Sequence, residues 1–276
     1  VILNKEYVNS ELLISATELI TQASEHCIVD TRPVHQYMAG HIPNAVPLDL
    51  FSISLTDTRE QPFKAFMSMI GILFARRGVD LNRSIVFYED VSGMCAARGL
   101  WFCEYLGHSK TQVLDGGIQS WLQAGGVIDT NPVVPPNLTG LPISPQPDTH
   151  INVEEILGQL DDPNLVVLDT RSADEHYARV ARAARAGAIP GSIHIEWIEN
   201  LNPNGTFKSV SQLQKMYTQA SVTAEKRVAC YCQGGYRSAH SYLALRLLGY
   251  PRVSNYIGSW KEWGDRHDLP IEIKID

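Results

Sequence analysis

A six-residue segment near the carboxyl end brings together a thiol, two glycines and a guanidinium: Cys232-Gln233-Gly234-Gly235-Tyr236-Arg237. An ionised thiol is a strong nucleophile, and a nearby Arg or helix N-terminus lowers the pKa of a cysteine below its usual value of about 8.5. Glycines let the backbone turn its N–H groups inward, which makes a cradle for an anion. We therefore predict that Cys232 is a catalytic nucleophile in a loop that binds an anionic substrate through Gln233, Gly234, Gly235, Tyr236 and Arg237.

The thiol lies between a predicted strand and a predicted helix. The apolar run Val228-Ala229-Cys230-Tyr231 indicates a buried strand, and the leucines of Ser238 through Leu248 recur at helical spacing before Gly249. The first turn of a helix adds unpaired N–H groups and a partial positive charge to the cradle. The alternative is that Cys232 is a core cysteine, but two glycines and an Arg make poor core material.

The other four cysteines, Cys27, Cys95, Cys103 and Cys230, lie in or beside apolar patterns and are predicted to pack in the core. An odd total of five cysteines in a chain that is 44% hydrophobic argues against a disulfide framework. No Cys-x-x-Cys pair accompanies Cys230 and Cys232 to complete a zinc site. We expect no metal and no organic cofactor.

The chain contains an internal repeat in which the same motifs follow in the same order. An apolar strand ends in Asp-Thr-Arg, a Gly-x-Ile-Pro motif follows, and a Ser-Trp pair closes each copy. The paired segments are Asp30-Thr31-Arg32 with Asp169-Thr170-Arg171, Gly40-His41-Ile42-Pro43 with Gly187-Ala188-Ile189-Pro190, and Ser120-Trp121 with Ser259-Trp260.

This repeat predicts two domains in a chain of 276 residues. The first covers residues 1–130 and the second residues 149–276, and residues 131–148 form a linker that carries six prolines. Short strands alternate with helical stretches in each copy, which indicates an α/β unit with a mostly parallel sheet flanked by helices.

The comparison between the copies assigns the chemistry to the second domain. Counting back from Leu106 and Leu248, which end equivalent helices, Asp90 stands at the position of Cys232 and Cys95 at that of Arg237. A carboxylate at the mouth of the cradle would repel anions. The first domain is therefore predicted to be a scaffold and a wall of the cleft.

The ordered motifs resemble those of the tandem-domain rhodanese family, the thiosulfate and 3-mercaptopyruvate sulfurtransferases, from about Leu13 to Trp263. This resemblance implies that Cys232 takes the outer sulfur of a small anionic donor, holds it as a persulfide and passes it to a thiophilic acceptor such as cyanide. A rival reading is a phosphatase with a Cys-x5-Arg loop, but only four residues separate Cys232 from Arg237.

The loop also bears on the donor. It matches neither the Cys-Arg-Lys-Gly-Val-Thr loop usual in vertebrate-type thiosulfate enzymes nor the Cys-Gly-Ser-Gly-Val-Thr loop usual in mercaptopyruvate enzymes. It is similar to a bacterial loop in which Gln follows the Cys and Arg closes the ring, and we therefore predict thiosulfate, with mercaptopyruvate as the alternative. A different class stays open, namely a sulfur-carrier or regulatory module that hands its persulfide to a protein partner.

Basic residues upstream of the second Gly-x-Ile-Pro motif are further candidates. Arg179, Arg182 and Arg185 are three apart, which suggests one face of a helical turn, and Arg182 and Arg185 are possible substrate-binding residues. The alternative is a solvated charged face. Where the family resemblance implies an Arg, this chain has Asp174, Glu175 and His176. His240 is interpreted as a packing residue of the helix that follows the loop.

The net charge of −7 argues against binding to nucleic acid or to an anionic membrane. No stretch approaches the roughly 20 apolar residues of a transmembrane helix. A reactive thiol favours the cytoplasm, and export stays open because a removed signal peptide would leave no trace in a chain that begins at Val1.

Overall fold

A computed structural model describes residues 6–80, 82–136, 138 and 144–274. It contains two parallel sheets that are flanked by helices, which confirms the predicted α/β class. Among the described residues the first sheet has the strand order β1-β5-β4-β2-β3. Its strands are Leu13–Ile14 (β1), His26–Asp30 (β2), Val46–Pro47 (β3), Ser84–Tyr88 (β4) and Thr111–Leu114 (β5). The helices around it are Ala16–Gln22 (α1), Val34–Ala39 (α2), Glu60–Arg76 (α3), Met94–Tyr105 (α4) and Gly117–Gln123 (α5).

The second sheet has the order β7-β6-β8-β9 in the described part of the chain. Its strands are Leu165–Asp169 (β6), Ile193–His194 (β7), Arg227–Tyr231 (β8) and Val253–Asn255 (β9). The helices are Val153–Leu157 (α6), Ala173–His176 (α7), Val210–Gln219 (α8), Arg237–Leu247 (α9) and Ser259–Trp263 (α10). Short 3-10 turns occupy Ser10–Leu12, Ala23–Glu25, Pro147–Thr149 and Trp197–Asn200.

The central strands of the two sheets are equivalent in register. Asp30 of β2 pairs with Tyr88 of β4, and Asp169 of β6 pairs with Tyr231 of β8. In each pair the phenol donates a hydrogen bond to the carboxylate, at 2.6 Å in the first sheet and 2.7 Å in the second. These strands are covered on both faces, which explains their nearly continuous apolar sequences. The register gives a reliable way to compare the two loops that follow β4 and β8.

Helices α4 and α9 pack against each other where the two domains meet. Both helices are buried on almost every side, because one face covers a sheet and the opposite face meets the other helix. A single cluster of buried apolar side chains runs through both domains, including Leu100 and Leu243. The interface is therefore continuous with the core, and the loop that begins at Cys232 lies beside it.

The predicted linker, residues 131–148, falls partly outside the described residues. Just after it, the second domain is held against the first: the indole of Trp101 donates to the carbonyl of Thr149 at 2.8 Å, and the ring of His150 stacks on Phe63. None of the described helices is long and apolar enough to cross a membrane.

Candidate active site

Cys232 directly follows strand β8, and helix α9 begins five residues later at Arg237. The side chain is buried, and its Sγ accepts a hydrogen bond from the backbone N–H of Gly235 at 3.2 Å. Gly235 has φ +83°, and a Cβ at this position would lie 2.9 Å from the carbonyl oxygen of Ile257. Only glycine fits both the turn and the close approach. The loop therefore aims an N–H at the thiol, as the sequence predicts.

The surroundings of Cys232 favour its thiolate. Burial on its own raises the pKa of the thiol, because a charge is poorly solvated in the interior. The guanidinium of Arg237 and hydrogen bonds from Ser238 and the backbone of Gly234 lower it, and the balance leaves the pKa below its ordinary value. The result is a buried thiol that ionises more easily than an ordinary cysteine.

Ser259 is a site residue that the sequence comparison used only to align the repeats. Its Oγ accepts hydrogen bonds from the backbone N–H groups of Cys232 at 3.0 Å and Gly235 at 3.1 Å, and donates to the carbonyl of Tyr256 at 2.7 Å. A hydroxyl has one proton and two lone pairs, so all its capacity is used. Ser259 thus ties both ends of the loop to the segment that leads into α10.

Arg237 forms a bidentate ion pair with Glu175, at 2.6 and 2.9 Å. Glu175 is buried in α7, where it completes a capping box with Ser172. Burial raises the pKa of Glu175, but the guanidinium outweighs this and holds the pKa below its usual value. The charge of Arg237 is consequently largely compensated by a carboxylate. The sequence reading noticed Glu175 as a departure from the family, but not its contact with the loop.

The remaining loop residues connect the site to its walls. The side chain of Gln233 donates to the carbonyl of Arg182 at 2.7 Å, and Gly234 is half-buried. The hydroxyl of Tyr236 donates to the carbonyl of Ile53 in the first domain at 3.0 Å, and its ring lies 5.6 Å from that of Phe51. The segment around Ile53 is therefore the part of the first domain that contacts the loop, as a wall of the predicted cleft would.

Residues 179–185 do not form the helical turn that the spacing suggested. Ala178 has φ +60° and ends the turn after α7, and the following backbone is irregular. The exposed side chain of Arg182 lies 3.7 Å from Glu175, at the mouth of the site. Arg185 instead donates to the backbone carbonyls of four residues: Trp263, Gly264, Arg266 and Leu269. Its guanidinium is committed to the segment after α10 and is not brought to the loop.

The strand register corrects the residue that replaces the nucleophile in the first domain. Tyr88 and Tyr231 are equivalent, so the position of Cys232 is held by Glu89 and not by Asp90. The carbonyl of Glu89 accepts from Ile118, just as that of Cys232 accepts from Trp260. Counting from the helix ends missed this because α4 has 12 residues and α9 has 11.

The same alignment also changes which residues correspond in the closing motifs of the two copies. Ser259 is equivalent to Gly117, and both have a positive φ, 54° and 56° respectively. Trp121 therefore corresponds to Trp263 and not to Trp260, and each of these two indoles donates to a carbonyl a few residues downstream. The Gly117 position lacks the hydroxyl that holds the loop of the second domain.

The carboxylate of Glu89 occupies the cradle of its own domain. It accepts hydrogen bonds from the backbone N–H groups of Cys95 at 2.6 Å and Ala96 at 3.1 Å, at the start of α4. Burial raises the pKa of Glu89 to about 7, although these hydrogen bonds act in the opposite direction. The donors that could hold a foreign anion in the first domain are thus already bound to an internal one. Cys95, like Cys27, Cys103 and Cys230, is buried.

Comparison with known proteins agrees with the arrangement of two similar domains. The family model of the rhodanese-like domain matches residues 15–124 and again residues 152–266. The chain belongs to the rhodanese family. This confirms the tandem organisation, and this rhodanese shares 32% identity with the sulfur carrier protein TtuD of Thermus thermophilus, over 96% of this chain and 98% of the relative.

A second relative of this rhodanese is a thiosulfate sulfurtransferase of Pseudomonas aeruginosa, which is 30% identical over 95% of this chain and 97% of its own length. Among solved structures, the anaerobic ergothioneine biosynthesis enzyme of Chlorobium limicola superposes with a TM-score of 0.86 at 22% identity, covering 98% of this chain and 72% of that one. The likeness to the solved structure shows the fold, and the named relatives support a sulfurtransferase.

Proposed function

We propose that this rhodanese is a thiosulfate sulfurtransferase that holds the transferred sulfur as a persulfide on Cys232. The observation that carries the proposal is the buried Sγ, which accepts the N–H of Gly235 at 3.2 Å in a loop that lowers the pKa of the thiol. Such a site stabilises an anionic sulfur and keeps water away from it. The thiosulfate sulfurtransferase at 30% identity supports the same donor.

In the first half-reaction the Cys232 thiolate attacks the outer sulfur of thiosulfate. A bond forms between Sγ and this sulfur while the sulfur–sulfur bond of thiosulfate breaks, and its electron pair leaves with sulfite. The terminal sulfur of the resulting persulfide carries the negative charge. The inward N–H groups of the loop and the N-terminus of α9 are the donors that stabilise this charge.

In the second half-reaction a thiophilic acceptor such as cyanide attacks the terminal sulfur. The persulfide bond breaks, thiocyanate leaves, and the electron pair returns to Sγ as the thiolate. Neither step requires an external oxidant, reductant or proton. Two separate transfers through a covalent intermediate predict ping-pong kinetics.

Intact-mass measurement of the purified protein after incubation with thiosulfate tests the proposal. We expect a gain of one sulfur atom, about 32 Da, that cyanide removes, as a covalent intermediate requires. Cys232→Ser should not load, whereas Cys230→Ala, which removes a buried thiol from the same strand, should load normally. Loading by mercaptopyruvate but not by thiosulfate would move the assignment to that donor.

A second candidate is a sulfur carrier that delivers the persulfide to a protein acceptor. The sulfur carrier protein at 32% identity favours it, as does the exposed Phe51 beside Tyr236, an apolar contact at the rim of the site. A protein that loads from thiosulfate, discharges slowly to cyanide and discharges quickly to a protein thiol or thiocarboxylate would identify this role.

A further inference from the structure

Arg98, in helix α4 of the first domain, is fully buried and lacks a carboxylate partner within the described residues. Its Nε and Nη2 have no hydrogen-bond partner of good geometry there, Nη1 makes a long contact of 3.4 Å with the carbonyl of Leu50, and the Tyr236 side chain also favours the charged guanidinium through a hydrogen bond. Leaving a charge buried and unpaired costs several kcal/mol, so such groups are normally paired. This cation therefore needs an explanation outside the packing of its own domain.

The guanidinium of Arg98 lies directly behind the cysteine loop of the second domain. Its Cζ is 3.9 Å from the centre of the Tyr236 ring, while the ring of Phe102 is 5.0 Å away. Tyr236 precedes Arg237 in the loop, and the electrostatic neighbours of Arg98 include the ionisable groups of Tyr236, Cys95 and Cys232. Because Arg98 and Cys232 are both buried, a negative charge at Cys232 would be only weakly screened from this guanidinium.

The pseudo-symmetry of the two domains shows what is unusual about this residue. Counted back from Leu106 and Leu248, Arg98 stands at the position of His240, and counted forward from the strand register it stands one residue further on, at Ser241. His240 crosses the interface in the opposite direction, and its Nε2 contacts the carbonyl of Ser92 at 2.9 Å. Burial lowers the pKa of His240 to about 3, so it is neutral and its contact is satisfied. Arg98, in contrast, is charged and has donors without partners, and it faces the loop that contains Cys232 and Tyr236.

The charges around Cys232 also indicate a role for Arg98. Among charged groups Arg237 has the largest effect in lowering the pKa of the thiol, but its charge is compensated by the bidentate contact with Glu175. A thiolate or persulfide at Cys232 then needs a further positive charge. We propose that Arg98 supplies this charge from the first domain, stabilising an anionic sulfur at Cys232 and favouring anionic reactants. This inference depends on the proposed function in one respect: the proposed function is what identifies the natural anionic reactant as thiosulfate.

The test compares two alkylating reagents that differ in charge. The rate of Cys232 modification by the anion iodoacetate is divided by the rate for neutral iodoacetamide, with the modified cysteine identified by peptide mass. We expect Arg98→Met to lower this ratio about tenfold, as the loss of a nearby unscreened charge would. Arg98→Lys should keep the ratio within about twofold. Arg246→Gln, which removes a Glu104-paired cation from the same interface, should leave it unchanged.

Thermal unfolding of the same variants distinguishes the effect of the Arg98 charge from the effect of its packing. Because Arg98 is an unpaired buried cation, Arg98→Met should unfold at the same or a higher temperature than the wild type. A lower unfolding temperature with an unchanged reagent ratio would overturn the proposal and leave Arg98 as a packing residue. Equal slowing of both reagents at a pH well above the alkylation midpoint, where the thiolate fraction no longer limits the rate, would also overturn it, since that indicates a displaced loop. Alkylation needs no sulfur donor, so failure of persulfide loading is a separate result that concerns only the proposed function.

Discussion

The hydroxyl oxygen of Ser259 lies 3.0 Å from the backbone nitrogen of Cys232, and it accepts a hydrogen bond from that N–H. It also accepts from Gly235, whose own N–H is shared with the sulfur. Ser259→Ala leaves these loop amides without their acceptor, so we expect the loop to shift and the rate of persulfide formation to fall on the order of 10- to 100-fold. Single-turnover loading followed by mass spectrometry measures this.

Ser259→Gly is the matched control for this experiment. It also removes the hydroxyl, but glycine tolerates the positive φ of 54° without strain. We expect the glycine variant to lose as much loading rate as the alanine variant, yet to be more stable by about 1 kcal/mol in denaturant unfolding. Normal loading in the glycine variant would show that backbone conformation alone shapes the loop.

Arg237 and Glu175 should move the pKa of Cys232 in opposite directions. Burial raises the pKa of the thiol and the Arg237 charge lowers it, so Arg237→Gln should shift the midpoint of alkylation to higher pH. Glu175→Gln leaves the guanidinium less compensated, so the midpoint should shift to lower pH. The measurement is the rate of Cys232 modification by iodoacetamide against pH. A shift of the same sign in both variants would mean that the ion pair acts through loop geometry.

Local patterns predicted most of the scaffold of the site. The apolar run at residues 228–231 and the helix predicted from Ser238 agree with β8 and α9 to within one residue. This succeeds because a parallel strand covered on both faces must be apolar throughout, and because glycines mark the turn between the two elements. The residue types of the loop are likewise local, so the prediction that Cys232 is the nucleophile could be made from the sequence, and it stays a prediction.

Contacts between distant residues could not be predicted in the same way. Glu175 and Arg237 are 62 positions apart, and Ser259 reaches the loop from the next strand–helix connection. Arg98 did leave a signal, since it is the one basic residue in the otherwise mostly apolar stretch Met94–Tyr105. The pattern indicates that such a residue is buried, but the packing of α4 on α9 decides that it faces Tyr236.

We expect Arg182 to contribute to substrate binding and Arg185 to contribute to the stability of the fold. Arg182 is exposed beside Glu175, so Arg182→Ala should raise the KM for thiosulfate about twofold to fivefold with kcat nearly unchanged, through weaker attraction of the anion. Arg185→Ala removes the donors to four carbonyls and should lower the free energy of unfolding by about 3 kcal/mol with no change in KM. An increase in KM for Arg185→Ala in the folded protein would return this residue to the site.

Glu89 should make the stability of the protein depend on pH. Burial raises its pKa to about 7 in the folded protein, from an ordinary value of 4.5, so the folded state binds the proton more tightly than the unfolded state. The wild type therefore loses stability as the pH rises from about 4.5 to about 7. Glu89→Gln cannot ionise but keeps an oxygen for the N–H groups of Cys95 and Ala96.

The variant should consequently gain stability relative to the wild type by up to about 3 kcal/mol between pH 4.5 and pH 8. Urea unfolding of both proteins at several pH values measures this difference, and any fixed cost of the new amide cancels because it does not change with pH. A constant difference would mean that Glu89 ionises equally in the folded and unfolded states. In that case the first domain would hold a full negative charge at the position equivalent to Cys232, and its N–H donors would be bound to the Glu89 carboxylate throughout this pH range.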